Sequence, residues 1–305
     1  MHCNNQIRTI CRVVHENRAP EISTVNLTVD IQQRRIIFMK TIKYLTVFCM
    51  MICMIMQLNI NVSANENNIC YVAHRGYTKY APENSIPAFE AAGKEGFQAV
   101  ECDIHETAKN KKGKRRFVIM HDQTLNRMCG LSGKNIYQKI RSKYHIKTGN
   151  NIESYTKKQL RIPSLEEYLS ICKRYHMKPV IEIKQKMKKD TIKRLYQSLK
   201  KAKMQNQAVV TCKYKQQLTY MRKYARKMPL EYVRHDFTQN DLSWMKKYHI
   251  NVSINKNILS DDMIQLFERN NIKINIWTIN NKDQLYNFTN KGIKIVTSDD
   301  TLWKE

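Results

Sequence analysis

From residue 70 onward, short apolar runs alternate with stretches in which apolar residues recur every three or four positions. The runs 70–75 (CYVAHR), 99–104 (AVECDI), 117–121 (FVIMH), 179–184 (PVIEIK), 207–212 (QAVVTC), 230–234 (LEYVR), 250–254 (INVSI), 273–278 (KINIWT) and 293–298 (IKIVTS) read as strands. Between most of them lie amphipathic helices. Residues 188–203 put Ile192, Leu195, Tyr196 and Leu199 on one stripe. Residues 164–176 do the same with Leu165, Tyr168, Leu169 and Cys172, behind a Ser164-x-x-Glu167 capping box. Repeated strand–helix units imply parallel strands with crossover helices, and about eight of them favour an α/β fold closed as a TIM (β/α)8 barrel.

Nine runs compete for eight places. Residues 105–116 are too few and too basic for a crossover helix, so runs 99–104 and 117–121 are expected to form a hairpin. Turning near Lys111, it would set Asp103 nearly opposite Met120 and His121 beside Glu101 and Asp103. The weakly periodic segment 123–161, rich in Gly, Asn, Ser and Lys, is expected to be an insertion after the His121 strand that helps bind substrate.

The N-terminal part has a different pattern. Met39-Lys40-Thr41-Ile42-Lys43 is a basic start, Tyr44 to Met56 an apolar run of 13, and Val62-Ser63-Ala64 a small-residue cleavage pattern. Residues 39–64 therefore have the form of a signal peptide, and the chain is expected to be exported, secreted or held at the cell envelope. The run falls short of the roughly 20 residues of a membrane span, which leaves an uncleaved N-terminal anchor as the alternative. Residues 1–38 show no useful periodicity and read either as a stretch upstream of the true initiator Met39 or as a disordered tail. Residues 65–305 form the barrel domain.

Charge adds a second constraint. The chain has 53 Lys and Arg against 26 Asp and Glu, net +27; residues 1–64 hold seven and three of these, so +23 remains beyond them. Such a balance favours polyanions, including anionic membrane or wall surfaces. The abundance of Lys, Asn and Ile along the whole chain gives a purely compositional alternative. Five of the nine cysteines follow residue 64 (Cys70, Cys102, Cys129, Cys172, Cys212), without a CxxC. An odd number at wide spacing argues against a disulfide framework or a zinc site; Cys102 and Cys212, in apolar strand-like runs, and Cys172, on an apolar helical face, read as buried thiols.

The candidate chemistry sits at strand ends. Glu101-Cys102-Asp103 alternates, so both carboxylates share one face, and Glu182-Ile183-Lys184 adds a third carboxylate and a cation. Three carboxylates at adjacent strand ends suit a hard divalent cation, Mg²⁺ or Ca²⁺. His74 and His121 also end apolar strands and form a candidate acid–base pair. Arg75 and Lys184 suit phosphate oxygens. Trp277, beside Thr278 and Asn280, is expected to line a pocket. Glu83 either orients Arg75 or a ligand hydroxyl, or serves as an acid near a helix N-terminus. Together these residues suit phosphoryl transfer on a diester.

The stretch HRGYTKYAPENSIPAFEAAGKEGFQAVECDIHET, followed in order by FVIMHDQTLNR, IPSLEEYL, PVIEIK, INIWTIN and IVTSD, resembles the glycerophosphodiester phosphodiesterases over residues 71–299. His-Arg-Gly alone is weak, whereas the ordered set HRG, PEN, ExD, HD, ExK and WTxN is specific. The resemblance implies a TIM barrel, a divalent metal on Glu101, Asp103 and Glu182, His74 with His121 as the acid–base pair, phosphate contacts from Arg75 and Lys184, and a pocket wall from Trp277. It implies hydrolysis of a glycerophosphodiester to glycerol 3-phosphate and an alcohol, with a glycerol hydroxyl attacking phosphorus first.

Three positions depart from the family's pattern: Ser85 in place of Thr, Met128 in place of Thr, and Ser298 inserted before Asp299. On the last ground Asp299 receives no catalytic role. Two other readings remain: a phospholipase-like or wall-polymer diesterase, and a non-catalytic basic barrel that binds anionic surfaces. The second would be signalled by loss of a site residue, and none is lost. Nucleic acid is not an expected partner.

Overall fold

A computed structural model describes residues 33–48, 50, 69–110, 112–133 and 144–304. The chain divides into two units, 1–67 and 68–305. In the first, residues 33–48 and 50 are helical. No described helix is long and apolar enough to cross a membrane. Residues 1–32 and most of the expected apolar run and cleavage pattern, 51–64, lie outside the described residues.

The second unit is the barrel. Its strands are β1 (Cys70–Ala73), β2 (Ala99–Glu106), β3 (Phe117–Ile119), β4 (Lys178–Ile183), β5 (Val209–Cys212), β6 (Leu230–Arg234), β7 (Asn251–Asn255), β8 (Ile274–Trp277) and β9 (Ile295–Ser298). All except β3 pair in parallel, and the β1–β2 pairing closes the ring of eight. The nine expected runs are therefore the nine described strands, with ends shifted by a few residues. Strand β3 lies antiparallel on β2, with Ile104 opposite Ile119 and the Met120 N–H donating to the Asp103 carbonyl at 2.9 Å. This is the expected hairpin register. Its turn is held by the Asn110 side chain, which accepts from the N–H groups of Lys112 and Lys114.

Helices cover the barrel where the periodicity placed them. Leu165–Arg174 opens on the reciprocal Ser164–Glu167 capping box, and Tyr168 is fully buried with its hydroxyl donating to the Val100 carbonyl at 2.6 Å. Lys189–Lys201 buries Ile192, Leu195 and Leu199 on the expected stripe. Cys102, Cys129, Cys172 and Cys212 are buried, and the described cysteines are all free thiols. Because side chains alternate along a strand, Cys102 and Cys212 face the helices while Glu101, Asp103 and Thr211 face the barrel interior. Val72, Ala99 and Val180 form an apolar plug inside the barrel. The polar and ionisable inward side chains come from positions further along the strands, nearer their C-terminal ends, where barrel sites form.

The 123–161 insertion, described over 123–133 and 144–161, has its own core of Leu125, Met128, Cys129, Ile146 and Leu160 against Val118 and Met120 of the hairpin. Met128 is thus a core residue there. The insertion reaches back to the loop after β1: Asn150 and Asn151 donate to the carbonyls of Thr78 and Tyr80, each at 2.8 Å. Gly149, at φ +133°, lies so close to Pro82 that an added Cβ would stand 2.6 Å from that ring.

Candidate active site

The segment His74-Arg75-Gly76 leaves β1 in a sharp turn. Arg75 takes a left-handed conformation at φ +57°, and its N–H donates to Glu101 Oε2 at 2.9 Å. Gly76, at φ +89°, packs against Ala88 with no room for a Cβ, which would stand 2.6 Å from the Ala88 Cβ. The close contact seats helix Ile86–Glu95 beside the turn. That helix is capped by Ser85, whose hydroxyl accepts from the Ala88 N–H. Serine and threonine both supply that acceptor, so the departure at Ser85 keeps the cap.

Glu101, Asp103 and Glu182 come together as expected, with one oxygen of each within 4.8 Å of the others. Asp103 is 1% exposed and Glu101 7%. The cations stand close: Lys184 Nζ lies 3.1 Å from Glu182 Oε1 and 3.3 Å from Asp103 Oδ1, and Arg75 Nε 3.4 Å from Asp103 Oδ2. Burial and the neighbouring charges of Asp103 and Glu182 raise Glu101 well above the ordinary glutamate range. Burial also raises Glu182, aided by Asp103 and opposed by Lys184. For Asp103 burial pushes upward, but Lys184, Arg75 and His121 prevail and hold it low. Lys184, though buried, is raised by Asp103 and Glu182.

Glu101 Oε1 is buried without a hydrogen-bond partner. A hard divalent cation fits this donor set: three converging carboxylates, one with an unspent oxygen, two of them pushed toward protonation by each other's company.

The two histidines share one arrangement. His74 Nδ1 lies 2.8 Å from Asp299 Oδ1, and His121 Nδ1 lies 2.8 Å from Asp122 Oδ1. A carboxylate on Nδ1 fixes the proton there and sets the orientation of the ring. Burial would raise Asp299, but the hydrogen bond and charge of His74, with bonds from Asn280 and Thr78, pull it to about 2. Asp122 behaves likewise: burial opposes, and bonds from Arg127 and His121 bring it to about 2. His121 itself is lowered, chiefly by burial.

A brace surrounds these groups. Glu83 accepts from Arg75 Nη1 at 3.1 Å and from Arg127 at 2.7 and 3.0 Å, while Arg127 also donates to both oxygens of Asp122 at 2.7 and 3.0 Å. Glu83 therefore orients Arg75, and lies before the helix cap rather than in the first helical turn. The insertion's contribution is Arg127, with Gln123 and Thr124 on the cavity wall.

Of these groups, His74, Arg75, Glu101, His121, Asp122, Glu182 and Lys184 line a cavity of about 740 Å³ at the barrel mouth, while Asp103, Glu83, Arg127 and Asp299 stand behind them; Trp277 and His235 also wall the cavity, their rings edge to face at 4.9 Å. Every site residue expected from the sequence is thus at or beside one cavity. Asp299 is the correction. Motif spacing around Ser298 gives it no catalytic role, yet its carboxylate holds His74. The signal was present: Ile295, Thr297 and Asp299 alternate, so the residue just past β9 continues its inward face. Asn84 and His105 were missed as well. Asn84, 1% exposed, donates to Asp103 Oδ2 at 2.8 Å and accepts from the Asp103 N–H at 3.2 Å. His105 follows Glu101 and Asp103 on the inward face of β2, with ring nitrogens 3.3 Å from Gln185 Oε1 and 3.4 Å from the His121 carbonyl oxygen.

Two histidines held by carboxylates thus stand around an acidic cluster at the mouth of an α/β barrel. The model of the glycerophosphoryl diester phosphodiesterase family matches residues 74–302, and the chain belongs to that family. It is similar to an uncharacterised protein, YqiK, of Bacillus subtilis (34% identity over 100 residues; 32% of this chain, 38% of the relative). It is also similar to mouse glycerophosphodiester phosphodiesterase 1 (28% over 128 residues; 41% and 37%). The putative glycerophosphodiester phosphodiesterase YhdW of B. subtilis is 26% identical over 235 residues, covering 75% of this chain and 93% of that one. The chain thus spans less than half the length of the first two. Among solved structures, an Oleispira antarctica phosphodiesterase in complex with the product sn-glycerol-3-phosphate shares the fold, with a TM-score of 0.66 at 20% identity over 75% of this chain and 92% of that one.

Proposed function

We propose that this protein hydrolyses glycerophosphodiesters to glycerol 3-phosphate and an alcohol. One observation carries the reading: two histidines, each held through Nδ1 by an aspartate, flank a three-carboxylate cluster in one cavity. Glu101, Asp103 and Glu182 would hold a divalent metal, Mg²⁺ or Ca²⁺, which supplies Lewis-acid stabilisation of charge on phosphate oxygens when bound. Arg75, braced by Glu83, and Lys184 bind the phosphate. His121, lowered by burial, takes the proton of the glycerol hydroxyl next to the phosphoester as that oxygen attacks phosphorus. His74, held by Asp299, protonates the departing alcohol. Water then opens the cyclic phosphate with the two roles reversed: His74 removes the water's proton and His121 returns one to the glycerol oxygen. Trp277 walls the substrate pocket.

The test is an assay of glycerol 3-phosphate release from a panel of diesters, after chelation and after metal is added back. Release that depends on added Mg²⁺ or Ca²⁺ supports the reading, and no release from any diester overturns it. A substrate whose adjacent glycerol hydroxyl is methylated is expected to turn over at least about a hundredfold more slowly, the scale of one lost acid–base step. Equal turnover would favour direct attack by water.

We further propose that residues 39–64 direct export, on the basic start, apolar run and small-residue pattern. Mass spectrometry of native protein is expected to find an N-terminus at Asn65. A full-length cytoplasmic form would refute export.

A further inference from the structure

The cations at the barrel mouth fall into two groups. Lys184 lies against Asp103 and Glu182, Lys215 Nζ is 2.8 Å from Asp241, and Arg234 pairs with Asp236. Lys186 and Lys213 have no acid partner among the described residues. Both ammonium groups stand over the ring of Tyr214, at 5.5 and 5.4 Å from its centroid. Lys213 and Tyr214 line the same cavity as the histidines, and Lys186 lies two residues beyond Lys184. An aromatic face attracts a cation but leaves its charge uncompensated, and an anion near the two ammonium groups would neutralise it.

We infer that Lys186, Tyr214 and Lys213 form a second anion subsite, which selects diesters whose alcohol carries a negative group of its own. The inference rests on the diesterase reading above. The glycerol 3-phosphate half carries only hydroxyls besides its phosphate, and that phosphate is taken by Arg75 and Lys184. A second anion in the cavity therefore belongs to the alcohol. A carboxylate-bearing head group and the next phosphate of a phosphate-linked chain share this chemistry, and a choline-type cation is disfavoured.

Full-length protein is assayed with glycerol 3-phosphate diesters of choline, glycerol, glycerate and glycerol 3-phosphate. At about 50 mM salt the two anionic diesters are expected to show KM values roughly tenfold below the glycerol diester, the gap narrowing near about 0.5 M as screening shortens. Lys186→Gln and Lys213→Gln each reduce the anionic-to-neutral ratio of kcat/KM by about threefold, and the double variant brings it near one, since charge rather than shape sets it. A gain for both anions assigns the subsite to charge alone, and a gain confined to the phosphate assigns it to a dianion; either supports it. Equal KM values, or a preference that survives in the double variant, overturn it. Equilibrium binding of the same diesters to chelated protein separates the two proposals. Tighter binding of anionic diesters that depends on Lys186 and Lys213, without turnover of any diester, sinks the diesterase reading and keeps the subsite. Hydrolysis without preference does the reverse.

Discussion

Glu182 and Glu231 point into the same barrel from β4 and β6, and in the sheet register each lies beside Thr211 of β5. Their surroundings differ in kind. Glu182 has an ammonium at 3.1 Å and two further carboxylates within 4.8 Å. Glu231, 4% exposed, is met by a neutral amide, Asn275 Nδ2 at 3.0 Å, and Asn275 Oδ1 in turn accepts from Thr297 at 2.8 Å. Burial lifts Glu231 to about 7, with Asn275 opposing. A buried acid with cations beside it can hold its charge, whereas one buried with only a neutral amide for a partner is pushed toward the neutral acid. The same residue type, with one strand between the two, sits among charges in one half of the barrel and against a neutral amide in the other.

The largest test of this contrast is to neutralise the acids of the first half. Glu101→Gln and Glu182→Gln are each expected to lower diester hydrolysis by about a thousandfold and to weaken metal binding, because one anionic ligand of three is lost. Calorimetric titration with Mg²⁺ or Ca²⁺ beside the assay checks both. Near wild-type turnover at limiting metal would remove these carboxylates from the ligand set.

Next in size is His121→Ala, expected to lower kcat by roughly a hundredfold or more while leaving metal affinity nearly intact, since the imidazole acts on protons and lies outside the carboxylate set. A parallel loss of metal affinity would count against that division of labour. Asp299→Asn probes the brace behind His74. It keeps the hydrogen-bonding shape but removes the negative charge beside the ring, so kcat is expected to fall about tenfold with little change in KM. An equal change in both would make Asp299 a substrate contact.

Sequence carried the barrel, the hairpin and the main site residues because strand alternation and short connections are local rules. The two-residue period puts Glu101 with Asp103, and the turn expected near Lys111 sets Asp103 against Met120. What stayed hidden needed distance in the chain. Asn84 meets Asp103, Arg127 meets Glu83, and Asp299 meets His74 across separations of 19, 44 and 225 residues. No periodicity reports such pairs. The Ser298 insertion misled for a related reason: it was judged by motif spacing, whereas inward position past β9 decides the matter. The Lys186–Tyr214–Lys213 group was invisible because cations without acid partners look the same in sequence as paired ones.

The smallest effect concerns Glu231. Its folded pKa, about 7, lies above the ordinary value of 4.5. Between those values the folded form keeps its proton while the unfolded form has lost it, so stability falls as pH rises across that window and stays reduced above it. At about 1.4 kcal/mol per unit, the penalty above pH 7 is at most about 3.5 kcal/mol. Glu231→Gln cannot ionise, and its amide oxygen can still accept from Asn275. The variant is therefore expected to melt several degrees above wild type at pH 8, on the scale of roughly 2–4 °C per kcal/mol for a domain of this size. The gap should close toward pH 5, where both wild-type and variant side chains are neutral in the folded state. Melting curves at the two pH values check it. A gap that does not change with pH would mean that Glu231 is ionised in the fold, as a partnered acid is, and the contrast with Glu182 would collapse.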